Sequence, residues 1–441
     1  MQGKSQSSRA IFAAVLGNAM EWFDFTVFAA MTPVISKLFF PVNPSVPASE
    51  LNGLLLTTAL FGAGFFMRPL GGVLLGMYGD RKGRKAAMTL GMTIMSISIL
   101  IMTCAPTYAQ AGVIAPVLIL IARLMQGFSV GGEFGTSTAY LIELAPPGRT
   151  GFFGSWQISG QLMSTALGAM LGLFVTQVFT PEQQAAWAWR IPFAVGLGLV
   201  PLTIYLRRTV VETYSREKEL ASTNHAARAY TAKTRPAGLP NLSKYFIGMG
   251  MVVTSAVSFY VTFGYTVTYA KQVLRLPVSQ SFIVQMVAAL VMLIVVPLAG
   301  AASDRFNRKK LLLISLAGYL ILMYPLYAWI NEAPSIARLL VTQVIVAIFG
   351  AAFLGVYCST LAELYPVRSR ATSLAIVNNV AVLIFGGFAQ FFVTWLMKLT
   401  GSPLAPVFYV MIGTAIGLVA VIFMKPQDER QIAVNHVKVA G

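Results

Sequence analysis

The chain alternates long apolar runs with short polar connections. Twelve such runs can be read from the sequence, and a helix needs about 20 apolar residues to cross the hydrocarbon core of a bilayer. The runs cover residues 10–36, 51–78, 86–105, 111–143, 151–179, 187–207, 243–272, 279–302, 310–330, 335–364, 370–398 and 403–424. This pattern predicts an all-α integral membrane protein with twelve transmembrane helices.

The longest polar stretch separates the first six runs from the last six. Two short motifs recur on either side of it: Asp-Arg-x-x-Arg-Lys begins at Asp80 and again at Asp304, and Glu-Leu-x-Pro begins at Glu143 and again at Glu363. Such repeats predict two pseudo-symmetric six-helix bundles with a substrate site between them, a design that transporters use. The predicted units are an N-terminal bundle (1–207), a cytoplasmic linker (208–243), a C-terminal bundle (244–425) and a cytoplasmic tail (426–441).

The composition agrees with a membrane protein. Charged residues make up only 11% of the chain, whereas soluble proteins carry about 25%. The net charge of +17 comes from basic clusters in connections on one side, while the opposite connections 41–50, 106–110, 180–186 and 331–334 contain no Lys or Arg. The positive-inside rule then predicts that both termini and the basic connections are cytoplasmic. The expected partner is a lipid bilayer and not a nucleic acid, because no stretch interleaves basic with aromatic residues.

Two carboxylates lie deep in the first apolar run. Glu21 and Asp24 sit roughly 16–21 Å along this run at about 1.5 Å per residue, near the bilayer centre. Ionisable residues at that depth usually face a cavity and mark the path of an ion or a substrate. The only histidines, His225 and His436, fall in polar stretches, so a proton carrier inside the membrane should be a carboxylate. We therefore predict a proton site here; a structural ion pair or a helix cap is the alternative.

The fourth run carries a second set of polar residues. Arg123, Gln126 and Glu133 fall on one face at 100° per residue. Arg123 can bind a substrate carboxylate with two hydrogen bonds, and Glu133 is a further candidate for proton coupling. The alternative is a static buried pair of Arg123 with Glu133 or Asp24.

Other polar residues are candidates for the cavity lining or for a gate. Gln157, Gln161, Tyr260 and Asn378 would contact substrate, although polar side chains also hold helices together. The charged residues near the basic connections would form a cytoplasmic gate of ion pairs: Arg68, Asp80, Arg84, Glu143, Arg149, Asp304, Arg308, Glu363 and Arg368. Arg68, beside Pro69, can alternatively extend its charge to the membrane interface.

Nothing in the sequence predicts an enzyme, a cofactor or a metal site. Cys104 and Cys358 both lie in apolar segments, and no phosphate loop, nucleophile motif or histidine-rich metal set is present. We expect a monomer whose partners are protons and a small molecule.

Residues 76–85, Gly-Met-Tyr-Gly-Asp-Arg-Lys-Gly-Arg-Lys, resemble the cytoplasmic loop signature of the major facilitator superfamily. Four further motifs are similar to those of its metabolite–proton symporter family: residues 17–25, 65–72, 123–133 and 189–193. The resemblance covers essentially the whole chain. It implies proton-driven import of a small metabolite across the bacterial inner membrane, with citrate, 2-oxoglutarate, shikimate, proline and betaine among the family's substrates.

The sequence leaves the substrate open between two classes. Arg123 favours a di- or tricarboxylate such as 2-oxoglutarate or citrate. The opening motif resembles the proline/betaine importer equally well, and Trp22, Trp156 and Tyr260 are candidates for an aromatic cage around a quaternary ammonium. That osmosensing relative carries a coiled-coil extension, whereas this tail shows no heptads. A drug–proton antiporter is disfavoured because no proline interrupts the fifth run, and a receptor that binds without transporting is the remaining alternative.

Overall fold

The structure is a bundle of twelve long helical passes. The computed structural model describes residues 2–40, 49–82, 84–131, 133–209, 242–366 and 370–424, and these residues contain no β-strand. In the first half the passes are α1 (Gln2–Phe39), α2 (Ser49–Phe66 and then Arg68–Lys82), α3 (Arg84–Cys104), α4 (Ile114–Val130 and then Glu133–Glu143), α5 (Thr150–Val178) and α6 (Ile191–Thr209). In the second half they are α7 (Leu242–Val257, π-helical Ser258–Phe263, then Thr266–Gln272), α8 (Val278–Ser303), α9 (Arg308–Glu332), α10 (Ile336–Glu363), α11 (Arg370–Val382, π-helical Leu383–Gly387, then Ala389–Thr400) and α12 (Ala405–Ile422).

The predicted all-α membrane fold is confirmed. Nine helical stretches within the described residues are long and apolar enough to cross a membrane, and Leu90–Cys104 is a shorter apolar helix. Together with α1 and α6 they complete the twelve predicted spans. Short helices at Tyr108–Ala111, Pro181–Ala186 and Ala188–Arg190 lie in the connections. Most of the predicted linker and all of the predicted tail fall outside the described residues.

Three passes are interrupted by a proline break or by a π-helical segment. α2 breaks at Met67, because Pro69 has no N–H to donate to the carbonyl one turn earlier. The π-helical segments of α7 and α11 lie against each other. Just after the segment of α11, Gln390 Nε2 donates to the Tyr260 carbonyl at 3.3 Å. Single-turn π segments occur often at functional sites.

Glycines let α2 and α4 approach until their backbones touch. A Cβ atom on Gly127 would lie 1.5 Å from the Gly64 carbonyl oxygen, and one on Gly131 would lie 1.9 Å from that of Arg68. In membranes, where lipid is as apolar as the helix surface, such small-residue contacts hold helices together. This contact fixes the position of α4 relative to α2.

We expect Gly127→Ala to destabilise the purified protein despite the better helix propensity of alanine. Overpacking of this kind costs about 1–3 kcal/mol, and here the backbones of two helices must separate. Gly198→Ala is the matched control, because nothing lies within 4 Å of its Cβ position. Thermal unfolding in detergent should show a lower midpoint for Gly127→Ala alone. Equal midpoints would mean that the α2–α4 contact adapts without cost.

The two halves touch each other at both ends of the bundle. We call the end that contains Asp304 and Arg308 the basic end; there the Cβ position of Gly300 on α8 meets the Gly151 backbone of α5 at 2.7 Å. At the opposite end, Lys398 Nζ on α11 donates to Asn52 Oδ1 on α2 at 2.6 Å. The two halves are therefore in contact at both ends of the bundle.

Candidate functional site

Asp24, Gln126 and Arg123 form a hydrogen-bonded chain of side chains between α1 and α4. All three are completely buried. Gln126 Nε2 donates to Asp24 Oδ2, and Arg123 Nη1 donates to Gln126 Oε1 at 2.8 Å. Asp24 and Arg123, predicted from separate runs, are thus brought into one site, with the Gln126 amide between them.

This chain of hydrogen bonds leaves some polar atoms of Asp24 and Arg123 without a partner. Among the described residues, Asp24 Oδ1 and Arg123 Nε and Nη2 have no hydrogen-bond partner. The Arg123 guanidinium instead lies over aromatic rings, with its carbon 3.7 Å from the ring centre of Phe28 and 5.5 Å from that of Phe25. Buried charges without hydrogen bonds are costly unless a partner supplies them. The site can therefore accept both a proton and an anion.

Arg68 also lies in this region, at the break of α2. Its guanidinium carbon is 4.0 Å from the ring centre of Phe65, 4.8 Å from that of Phe25 and 5.0 Å from that of Trp22. The side chain is only 3% exposed. The sequence suggested a gate or membrane-interface position for Arg68, whereas the structure encloses it in an aromatic box close to Arg123.

A cavity with an empty volume of about 340 Å³ lies between the two halves next to this site. Its walls are mostly aromatic, with a few polar groups. The lining residues from the first half are Trp22, Phe25, Thr26, Ala29, Phe61 and Thr165. Those from the second half are Phe259, Tyr260, Gly264 and Gln285.

Gln285 on α8 is a polar lining residue that was not singled out from the sequence. Its Nε2 donates to the Phe263 carbonyl at 3.0 Å, while its Oε1 has no partner among the described residues. An amide this far inside the apolar run of α8 was a signal in itself, because polar residues at membrane depth usually face a cavity or a neighbouring helix.

The other predicted contact residues occupy different places. Gln157 pairs with Asn18, whose Nδ2 donates to the Gln157 carbonyl at 2.7 Å, so it links α5 to α1. Gln161 and Asn378 are buried but do not line the cavity. Tyr260 does line it and packs on Phe65 at 5.2 Å between ring centres. Trp156 is on α5 against Phe152 and Glu133 is partly buried. The predicted proton site at Glu21 lies outside the described side chains.

Three of the nine predicted gate residues, Asp304, Arg308 and Glu363, form one cluster at the basic end. Arg308 Nη1 on α9 donates to Glu363 Oε2 on α10 at 2.6 Å, and its Nη2 lies 3.3 Å from Asp304 Oδ1. Asp304 also accepts from the backbone N–H groups of Gly151 and Phe152 at 2.6 and 2.9 Å. These N–H groups belong to the first turn of α5, where a helix attracts negative charge. The cluster therefore ties the second half to the first.

The rest of the predicted gate is looser or outside the described residues. Glu143 Oε1 lies 4.0 Å from Arg370 Nη1, and Arg149 is exposed. The side chains of Asp80 and Arg84, and Arg368 altogether, are not among those described. Within the described residues, no three His, Cys, Asp or Glu side chains could hold a metal ion.

We expect Asp304→Asn to loosen the closed basic end. The substitution removes the charge that two N–H groups of α5 and the Arg308 guanidinium share, and hydrogen bonds to charged groups are worth about 1.5–3 kcal/mol. Ser155 is fully buried beside Gly300, so Ser155→Cys in a background without the native cysteines reports on this interface. Its labelling by a water-soluble maleimide should accelerate about tenfold or more. Glu182→Gln at the opposite end is the control, and an unchanged rate in Asp304→Asn would rule out a gating role.

Comparison with known proteins agrees with this architecture. Residues 10–432 match the model of the sugar (and other) transporter family. The chain is 33% identical to the citrate–proton symporter of Klebsiella pneumoniae over 415 residues, which cover 94% of this chain and 91% of that protein. It is 31% identical to the proline/betaine transporter of Escherichia coli K12 over 430 residues, which cover 96% and 84%.

The fold is also that of solved transporters. The structure of the proton:xylose symporter XylE, a member of the major facilitator superfamily, bound to 6-bromo-6-deoxy-D-glucose, superposes with a TM-score of 0.77 at 20% identity. The match covers 96% of each chain. The resemblance seen in the sequence motifs is thus confirmed over the whole length. The chain belongs to the sugar (and other) transporter family of the major facilitator superfamily.

Proposed function

We propose that the chain is a proton-coupled symporter that imports a small organic carboxylate by alternating access. One observation carries the proposal: the buried chain Asp24–Gln126–Arg123 joins a proton-accepting group to an anion-binding group beside a cavity between the two halves. The citrate–proton symporter of Klebsiella pneumoniae, similar over nearly its whole length, supports this class of transport.

The geometry offers a simple means of coupling. The Gln126 amide donates to Asp24 and accepts from Arg123, so a change in the protonation of Asp24 affects the hydrogen bonding of Arg123. When Asp24 takes a proton, the negative charge nearest to Arg123 disappears. A substrate carboxylate is then the best partner for the Arg123 guanidinium, because charge-assisted bidentate pairs are strong. Proton and anion thus favour each other's binding, and a site loaded with both carries less net charge through the membrane.

Alternating access then requires the two closed ends to open in turn. At the basic end, the Asp304–Arg308–Glu363 cluster must release α5; at the opposite end, the Lys398–Asn52 contact must separate. The basic connections put the first end in the cytoplasm by the positive-inside rule. We therefore place the protein in the bacterial inner membrane with both termini inside, acting as a monomer.

A proline/betaine-type osmolyte symporter is the second candidate. The observation that favours it is the aromatic lining of the cavity, since Trp22, Phe61 and Tyr260 are the kind of rings that hold a quaternary ammonium. The proline/betaine transporter of Escherichia coli is also similar over its length. The position of Arg68 disfavours this candidate. Its guanidinium already lies beside Trp22, so a protein cation occupies this part of the aromatic box.

Uptake into proteoliposomes with an imposed acid-outside gradient tests the proposal. Radiolabelled citrate, 2-oxoglutarate, shikimate, proline and betaine are compared with and without a protonophore, and protein-free liposomes are the control. We expect accumulation of a carboxylate that the protonophore abolishes. Accumulation of proline or betaine alone would establish the second candidate. Absence of gradient-driven uptake of all five would contradict both and leave a binder that does not transport them.

A further inference from the structure

Two buried guanidinium groups share one aromatic ring. The guanidinium carbon of Arg68 lies 4.8 Å from the ring centre of Phe25, and that of Arg123 lies 5.5 Å from the same centre. Phe25 also lines the cavity between the halves. The Phe25 ring of α1 therefore lies between the space where a ligand would sit and two cations, Arg68 on α2 and Arg123 on α4.

Two of the three guanidinium nitrogens of Arg68 lack a hydrogen-bond acceptor among the described residues. These are Nε and Nη2, and both are buried. The Tyr260 hydroxyl of the second half is close enough to interact with it through charge and a weak hydrogen bond, although the contact falls short of ordinary hydrogen-bond geometry. Aromatic faces offset only part of what a guanidinium loses on leaving water. An arginine that served packing alone would be expected to have its N–H groups paired.

We infer that Arg68 is a second anion-binding residue, which together with Arg123 holds a substrate carrying at least two carboxylates; this rests on the proposed symport of a carboxylate. In the closed structure the Phe25 ring covers both guanidinium groups. Substrate entry turns this ring aside and replaces its face with carboxylate oxygens, which bind guanidinium more strongly.

The charges of three buried ionisable groups in the described part of this region fit such a ligand. With Asp24 ionised, Asp24, Arg68 and Arg123 carry a single net positive charge. With Asp24 protonated they carry two, which a dicarboxylate neutralises. Trp22, Phe25 and Tyr260 touch both the Arg68 region and the cavity, so movement of these rings would let the second carboxylate approach Arg68.

The test compares variants at Arg68 with the wild type, using pairs of ligands that differ by one carboxylate. Binding of 2-oxoglutarate is compared with that of 2-oxopentanoate, and binding of malate with that of 2-hydroxybutanoate, for the wild type, Arg68→Gln, Arg68→Lys and the partly exposed control Arg338→Gln. We expect Arg68→Gln to weaken binding of the member with the extra carboxylate about 10- to 100-fold, and to change binding of its partner by less than about threefold. Arg68→Lys should fall between, because it keeps the charge without the planar fork.

The same measurements separate a failure of this inference from a failure of the proposed function. If Arg68→Gln bound all ligands like the wild type, or weakened both members of a pair equally, Arg68 would not contact the second carboxylate although carboxylate symport would stand. Wild-type binding of shikimate alone, a monocarboxylate, would have the same consequence. Should Arg68→Gln fail to fold, the wild-type preference within each pair decides: less than about tenfold overturns the inference. Binding of proline or betaine alone would instead overturn the proposed function.

Discussion

Asp24→Asn is expected to abolish proton-driven accumulation while substrate exchange across the membrane continues. The amide cannot take up and release a proton, so the gradient no longer drives transport. Its oxygen can still accept from Gln126 Nε2, which preserves the hydrogen-bonded chain to Arg123. Asparagine therefore resembles the protonated form of Asp24, the form in which Arg123 binds substrate. Asp24→Ala would be a poorer test, because it leaves the Gln126 amide buried without its acceptor.

Two assays in proteoliposomes separate these effects. Accumulation against a gradient under acid-outside conditions should drop to the level of equilibration, and counterflow of labelled against unlabelled substrate should remain within a few-fold of wild type. Glu332→Gln is the matched control, because Glu332 is an exposed carboxylate at the end of α9. Full accumulation by Asp24→Asn would remove Asp24 as the carrier and direct the same test to Glu133 and Glu21.

Arg123→Gln is expected to abolish substrate binding, and with it both accumulation and counterflow. The guanidinium is completely buried, and removal of one partner from a buried charge pair costs about 2–5 kcal/mol or more. This corresponds to roughly 30- to 5,000-fold in affinity. Arg123→Lys keeps the charge but loses the planar fork that pairs with a carboxylate, so we expect an intermediate loss.

The loss of both activities distinguishes Arg123 from Asp24, whose substitution should spare counterflow. Arg338→Gln is the control, since Arg338 lies at the start of α10, where its side chain bonds the Trp329 carbonyl. A thermal unfolding midpoint within a few degrees of wild type shows that each variant is folded. Wild-type affinity of Arg123→Gln for the transported carboxylate would exclude a substrate contact and leave Arg123 as the static partner of Asp24.

The helices were predictable because the bilayer imposes a simple rule. A segment that crosses hydrocarbon must be apolar and must satisfy its backbone internally, so its extent can be read from the run itself. The predicted run 279–302 is helix Val278–Ser303, and 310–330 is Arg308–Glu332. The same rule identified Asp24 and Arg123, since charges at such depth need a reason. The recurrence of two short motifs in the two halves identified Asp304 and Glu363, which meet at the basic end.

The arrangement of side chains between helices was not predictable in this way. Helical periodicity tells which residues share a face, but the rotation and tilt of each helix depend on its neighbours. The close backbone contact of Gly127 with Gly64 sets α4 against α2, and the break at Met67 carries Arg68 among aromatic rings and away from the basic cluster. Gln285 reaches the cavity because α8 packs beside α5 and α7.

The sequence by itself therefore determined the membrane class, the twelve spans, the two repeats and the charged residues that bear on transport. The tertiary structure alone decided that Asp24 and Arg123 meet through Gln126, that Arg68 and Arg123 share the Phe25 ring, and that the two halves touch at both ends of the bundle. The physical reason is the separation along the sequence over which each kind of interaction acts. Hydrophobicity and backbone hydrogen bonding act along a single segment, whereas the site depends on contacts between residues such as Asp24 and Gln126 that are 102 positions apart.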